Sequence, residues 1–72
     1  MLSRPEGSLV SSERDVIFEF VQVGGVVKVT ALDTASGIEA SIVGDPSAGD
    51  AALKRLARKK LDYVLAKRGA QI

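Results

Sequence analysis

Residues 16–43 read VIFEFVQV-GG-VVKVTALD-TASG-IEASIV and contain the clearest signals of secondary structure in the chain. Three runs rich in β-branched and aromatic residues, joined by short glycine-containing loops, predict a three-stranded antiparallel meander. The strands are expected near residues 15–23, 26–33 and 38–43. We expect positive φ at both Gly24 and Gly25 in the first turn. In the second turn, Gly37 suits a left-handed position, and Asp33 can accept hydrogen bonds from the turn backbone.

One strand register separates apolar from mixed side chains. It pairs Val23 with Val26 and Asp33 with Ile38, and a one-residue slip in either hairpin would mix the two sets. The apolar face then comprises Val16, Phe18, Phe20, Val27, Val29, Ala31, Ile38, Ala40 and Ile42. The opposite, mixed face comprises Ile17, Glu19, Val21, Lys28, Thr30, Leu32, Glu39, Ser41 and Val43.

A helix is predicted from about residue 48 to 68, because Ala51 to Arg68 consists mostly of strong helix formers. Its start is expected between Pro46 and Asp50, with Asp45 as N-cap and with Ser47 and Asp50 as a weaker capping box. The predicted apolar stripe contains Leu53, Leu56, Ala57, Leu61 and Val64, with Tyr63 at its margin. The fold class is therefore α+β, a β-β-β-α arrangement in two layers, with the helix covering the apolar sheet face.

Length and composition predict one small domain and exclude much chemistry. The 72 residues include no Cys and no His, which excludes disulfides, thiolate nucleophiles and zinc fingers and removes the commonest general base. We therefore predict a non-enzymatic protein with no catalytic, metal or cofactor site. The domain is expected over 14–69, with a flexible N-terminal tail at 1–13 and a C-terminal tail at 70–72. No membrane span or secretory signal is recognisable, so a cytoplasmic location is expected.

The charge is distributed unevenly along the chain. Residues 1–49 carry three basic and seven acidic side chains, a net charge of −4, whereas residues 50–72 carry seven basic and two acidic ones, a net charge of +5. A basic helix can contact phosphates without reading sequence. Weak nucleic-acid binding is therefore an alternative function, and its predicted contacts project from the outer helix face: Lys54, Arg55, Arg58 and Lys59.

The preferred function is a structural or protein-interaction module that self-associates as a homodimer. A thin core, unpaired edges on strands 15–23 and 38–43, and apolar residues on the uncovered face all favour association. The predicted dimer contacts are Ile17, Val21, Leu32, Val43 and Lys60. Two arrangements remain open, namely edge-to-edge pairing and exchange of helices through a hinge at 44–49. Lys60 lies within the apolar stripe, where its stem can pack on the sheet rim or its ammonium can meet an acidic group of a second chain.

The chain also resembles a known family in a string of short motifs. These are Ile17-Phe18-Glu19-Phe20, Val27-Lys28-Val29, Leu32-Asp33-Thr34, Gly37-Ile38-Glu39, and the segment from Leu61 to Arg68. Over roughly residues 15–68 it is similar to short, uncharacterised alphaproteobacterial proteins that form a domain of unknown function. The resemblance implies a stand-alone cytoplasmic protein with no assigned activity, and it transfers no functional residue.

Overall fold

The computed structural model describes residues 8–13 and 15–69. Its elements in chain order are β1 (Ser8–Glu13), β2 (Val16–Val23), β3 (Val26–Asp33), β4 (Glu39–Gly44), a short 3₁₀ turn (Pro46–Ala48) and α1 (Asp50–Gly69). The strands form one antiparallel sheet in the order β1-β2-β3-β4. The predicted meander of three strands followed by one helix is confirmed in β2, β3, β4 and α1.

The predicted register is confirmed in both hairpins. Val23 pairs with Val26, and Leu32 pairs with Glu39. The Asp33 N–H donates to the Ile38 carbonyl at 2.8 Å and closes the second hairpin. Turn chemistry and burial therefore select the same pairing, because only this register places the apolar residues on one face.

The N-terminal part of the chain differs from the prediction. Residues 8–13 were expected within a flexible tail, but they form β1 and pair with β2 from Ser8 opposite Val21 to Glu13 opposite Val16. The edge of β2 offers a row of backbone donors and acceptors, which this adjacent segment satisfies. The expected unpaired edge on 15–23 is therefore wrong, and β2 is an inner strand. The tails predicted at 1–7 and 70–72 lie outside the described residues.

The core lies between the predicted apolar sheet face and α1. The buried side chains are Val16, Phe18, Phe20, Val29, Ala31, Ala40, Leu53, Ala57 and Leu61. Half-buried residues packed against them are Val27, Ile38, Ile42, Val64 and Leu65. All nine residues predicted for the apolar face belong to these two groups, so the face assignment is confirmed.

The buried stripe of α1 differs from the predicted one at Leu56, which is 54% exposed. The helix packs mainly on β3 and β4, and Leu53, Ala57 and Leu61 form the line of contact. Leu56 precedes Ala57 by one residue and so lies about 100° around the helix from that line. Tyr63, predicted at the margin, is 63% exposed.

The first hairpin turn requires glycine at one position rather than two. Gly24 has a φ of 61°, whereas Gly25 is not among the residues with positive φ. A positive φ at the first turn residue alone is the pattern of a type II′ turn, which matches the twist of a hairpin as a type I′ turn does. The expectation of positive φ at both glycines is therefore wrong for Gly25.

The entry to α1 is formed by Asp45 and the 3₁₀ turn, within the predicted start region. The Asp45 carboxylate accepts hydrogen bonds from the Ser47 hydroxyl at 2.7 Å and the Ser47 N–H at 2.8 Å. Because both bonds favour the charged form, they hold the pKa of Asp45 below its usual value. Ser47 thus donates its hydrogen bonds to Asp45 and does not form the expected capping box with Asp50. A Cβ on Gly44 would collide with the Leu53 side chain, so glycine allows α1 to fold closely over β4.

Candidate interaction surfaces

The sheet face opposite α1, here called the uncovered face, brings together four of the predicted dimer contacts. Ile17, Val21 and Leu32 are half-buried by neighbouring side chains, and Val43 is 65% exposed. Val23 and Val26 extend this apolar surface at the first hairpin and are 55% and 40% exposed. The sequence analysis missed these two valines, although their alternation with Val21 and Lys28 assigns them to the same face.

Over β2, β3 and β4, the uncovered face contains four rows of paired residues. In order along the strands the rows are Val23 and Val26; Val21, Lys28 and Val43; Glu19, Thr30 and Ser41; and Ile17, Leu32 and Glu39. The third row is polar, and its Thr30 and Ser41 hydroxyls share a hydrogen bond of 2.8 Å. The first row is therefore apolar, the fourth combines the apolar Ile17 and Leu32 with the exposed Glu39, and Lys28 and Glu19 lie between these rows.

Lys60 lies beside the edge of β4 and not on the uncovered face. Its Nζ donates a hydrogen bond of 2.8 Å to the Ser41 carbonyl of the same chain. Residue pairs along an antiparallel ladder alternate between hydrogen-bonded and non-hydrogen-bonded. Because Asp33 and Ile38 form a hydrogen-bonded pair, Ser41 and its partner Thr30 form a non-hydrogen-bonded one, and the Ser41 carbonyl points away from β3. Lys60 thus satisfies an outward-facing acceptor on the edge strand, with the ammonium at the sheet rim.

The four basic residues predicted on the outer helix face occupy two different faces. Arg55 and Lys59 are exposed, whereas Lys54 and Arg58 are half-buried on the side of β2. The Lys54 Nζ lies 5.3 Å from the centre of the Phe18 ring, and the Arg58 Nε donates to Asp62 at 3.2 Å. The common outer face expected for all four is therefore wrong for Lys54 and Arg58.

A groove of about 370 Å³ lies between α1 and Phe18 of β2. Among the residues whose side chains the structure describes, its lining comprises Phe18 of β2 and Ala51, Lys54, Arg55 and Arg58 of α1. The helical members follow a spacing of three, four and seven residues from Ala51, which places them along one side of the helix. The basic residues thus contribute to a concave surface rather than only to a solvated helix face.

The profile of one protein family, described as Domain of unknown function (DUF6898), matches residues 13–68. The chain belongs to this family. The matched segment contains β2, β3, β4 and α1, which are the elements that form the core and both surfaces described above. No curated protein and no solved structure matches the chain.

The loops of the DUF6898 segment have structural roles that the hydrogen bonds define. Asp33 accepts hydrogen bonds from the Ser36 hydroxyl at 2.6 Å and the Ser36 N–H at 3.0 Å, which confirms it as a turn former. Within residues 8–13 and 15–69, no group of three or more carboxylates could hold a metal ion. No helix in this described part of the chain is long and apolar enough to cross a membrane.

Proposed function

We propose that this member of the DUF6898 family is a non-enzymatic interaction module that self-associates through its uncovered face. The observation that carries the proposal is that Val23, Val26 and Val43 are exposed on the uncovered face, at 55%, 40% and 65%, and that Val23 and Val26 are paired neighbours. Valines exposed next to one another on a sheet gain free energy when a second apolar surface removes them from water. The alphaproteobacterial and cytoplasmic setting expected from the sequence stays a prediction.

Pairing through the face is favoured over pairing through the two edges predicted from the sequence, those of β2 and β4. The edge of β2 is already occupied by β1. On β4, Lys60 donates to the outward-facing carbonyl of Ser41, and a lysine at an edge disfavours addition of another strand. The apolar surface of the uncovered face has no such protection at Val23, Val26 or Val43, all of which are exposed.

The order of rows on the uncovered face makes it complementary to a second copy of itself. Two copies can pack face to face about a two-fold axis that lies between the two sheets. The axis runs perpendicular to the strands, between the second and third rows. Val23 and Val26 of each copy then meet Ile17 and Leu32 of the other, in the row that also contains Glu39. Lys28 of each copy faces the row of the other copy that contains Glu19. The arrangement therefore combines apolar burial with opposite charges.

Sedimentation velocity at two protein concentrations tests this proposal. We expect the unmodified chain to show a dimer whose fraction rises with concentration. Val43→Glu should shift the population to monomer, because it introduces an anion next to the Glu19 row of the other copy. Leu56→Glu is the matched control, since it places the same charge at another exposed apolar position, 54% exposed and on α1, and it should leave the dimer intact.

Three results would contradict association through the uncovered face. The first is a monomer mass for the unmodified chain at both concentrations. The second is dissociation by Leu56→Glu but not by Val43→Glu, which would place the interface on the helix. The third is a set of intermolecular nuclear Overhauser effects between Leu53 or Leu61 and Phe18 in a mixed labelled sample, which would show exchange of α1 between copies.

A second candidate function is weak, sequence-independent nucleic-acid binding along α1. The exposed Arg55 and Lys59, on a helix that also carries Lys54 and Arg58, favour it. Binding of this kind should fall steeply as salt increases, because cations on the strand are released when phosphates are neutralised. Replacing all four residues by Ala should abolish the fluorescence anisotropy change of a labelled oligonucleotide, whereas unchanged affinity in that variant would exclude this surface.

A further inference from the structure

Leu56 and Tyr63 are two large hydrophobic side chains that α1 leaves outside the core. They are 54% and 63% exposed, and they lie seven residues apart, which corresponds to about two helical turns. The alternation of four-residue and three-residue steps continues on both sides of them. The resulting stripe, here called the second seam, comprises Ala52, Leu56, Lys59, Tyr63 and Ala66. This repeat is the one by which helices pack against each other in coiled coils.

The second seam lies on the β4 side of α1 and faces away from the core. Leu56 and Tyr63 lie about 100–120° around the helix from Ala57, which is fully buried. Lys60 projects between Ala57 and the seam, and its Nζ donates to the Ser41 carbonyl of β4 at 2.8 Å. The seam is therefore a helix surface beside the edge of the sheet, separate from the groove near β2.

Two lysines flank the second seam on its β4 side. Lys60 and Lys67 are exposed, and each follows a large seam residue by four positions, Leu56 and Tyr63 respectively. The Lys67 Nζ lies 5.7 Å from the centre of the Tyr63 ring, which holds this ammonium beside the seam. The Lys60 ammonium has three N–H donors, so its bond to the Ser41 carbonyl leaves two for another acceptor.

The other charges on α1 leave the surroundings of the second seam positive. The exposed Lys59 lies on the seam itself, between its two large side chains. The flank away from β4 carries Arg55 and Asp62, and the Asp62 carboxylate accepts a hydrogen bond from the Arg58 Nε at 3.2 Å. The remaining acid of α1, Asp50, is its first residue. A ligand that approaches the seam therefore meets two hydrophobic side chains surrounded mainly by cations.

We propose that the second seam binds an acidic amphipathic helix of a partner protein. A helix with apolar residues at the same repeat would cover Leu56 and Tyr63, and carboxylates beside its apolar stripe would meet Lys60 and Lys67. A second copy of α1 fits less well, because lysines of the two seams would face each other and like charges disfavour pairing. A nucleic-acid strand would satisfy the lysines but would not need the hydrophobic pair.

The second seam is independent of the proposed self-association. It lies on α1, which covers one side of the sheet, whereas the uncovered face lies on the other side. A dimer formed through the uncovered face would leave the seam accessible. The interaction module would then have one surface for a second copy and one for a different protein, and failure of either proposal would leave the other standing.

The test is a titration of the full chain followed by ¹H–¹⁵N correlation spectra. The probe is a designed peptide of about three heptads with leucines at the a and d positions and glutamates at e and g, whose like charges disfavour its own pairing. The comparison probes are a peptide of the same composition in scrambled order, a peptide with lysine in place of glutamate, and phosphatidylcholine vesicles with and without phosphatidylserine. We expect saturable shifts of the Leu56, Lys59 and Tyr63 amides with the acidic helical peptide alone.

One pair of double variants tests the hydrophobic contacts without changing the net charge. Leu56→Ala with Tyr63→Ala should weaken peptide binding by about tenfold or more, because both large side chains of the seam are lost. Val23→Ala with Val26→Ala is the matched control, since these valines are 55% and 40% exposed but lie on the uncovered face, and it should change affinity by about twofold or less. All four positions are exposed, and dispersed spectra confirm folding.

A second pair of double variants tests the charge complementarity. Lys60→Gln with Lys67→Gln should weaken peptide binding by about fivefold or more, because the two lysines that flank the seam lose their charge. Lys28→Gln with Arg68→Gln is the control with the same loss of net charge. Its residues are exposed and lie outside the seam and its β4 flank, so the affinity should change by about twofold or less.

Four outcomes would overturn the proposal. The first is the absence of saturable shifts with the acidic helical peptide. The second is equally tight binding of the scrambled or the lysine peptide, which would show that neither helical pattern nor charge is recognised. The third is equal weakening by a double variant and its control in either pair. The fourth is binding to phosphatidylserine vesicles that requires Leu56 and Tyr63 and is tighter than peptide binding, which would make the seam a membrane-contact surface.

Discussion

Replacing Phe18 by Ala is expected to lower the free energy of unfolding by about 3–5 kcal/mol. Phe18 is among the largest fully buried side chains, with no exposed surface, and it lies between the sheet and α1. Its removal leaves a cavity and deprives the Lys54 ammonium of the ring beneath it. A chain of 72 residues has a total stability of only about 4–11 kcal/mol, so this variant loses a large part of it.

Urea unfolding followed by circular dichroism measures the loss, at one protein concentration so that association contributes equally. Tyr63→Ala is the matched control. Tyr63 also lies beneath a lysine, with the Lys67 Nζ 5.7 Å from its ring centre, but its side chain is 63% exposed. Its replacement should cost less than about 1 kcal/mol. Losses under roughly 1 kcal/mol at both Phe18 and Phe20 would mean that the two sheet faces are reversed.

The meander and its register could be predicted because their determinants are local. The Gly24-Gly25 turn and the Asp33–Gly37 turn each fix one pairing, and the alternation of apolar residues fixes the buried face independently. When turn chemistry and burial agree, one register remains. The uncovered face follows from the same alternation, which explains why Ile17, Val21, Leu32 and Val43 were correctly grouped.

The strand β1 could not be predicted in the same way. Residues 8–13 read SLVSSE, which contains only two apolar residues and no regular alternation. Their pairing with β2 is determined by the backbone groups that β2 leaves unsatisfied, and this demand arises only once the meander exists.

The groove escaped the sequence analysis for a different reason. Helical periodicity gives the angles between residues on α1, but it does not give the rotation of the helix against the sheet. The packing on β3 and β4 turns Lys54 and Arg58 toward β2 and turns Leu56 toward water. A helix rotated so that Leu56 is buried would place Lys54 and Arg58 on the outer, solvent-facing side. Both errors of the sequence analysis therefore have one cause, the rotation of α1 about its axis.

The orientation of α1 is tested by a pair of identical substitutions on that helix. Leu61→Ala should lower the free energy of unfolding by about 2–5 kcal/mol, because Leu61 has no exposed surface and packs in the core. Leu56→Ala removes the same atoms one and a half turns away, where the side chain is 54% exposed, and should cost less than about 1 kcal/mol. Helix propensity cancels in this comparison, since both changes replace Leu by Ala in the helix interior.

The difference between the two losses reports the rotation of α1 directly. Equal losses would place Leu56 in the core and would return Lys54 and Arg58 to the outer face, which would abolish the groove. A larger loss for Leu56→Ala that depends on protein concentration would instead show that Leu56 is buried between copies. Urea unfolding of the Val43→Glu variant would then distinguish the two explanations. This substitution changes the uncovered face and not α1, so it should remove the dependence of stability on protein concentration only if the copies associate through the uncovered face.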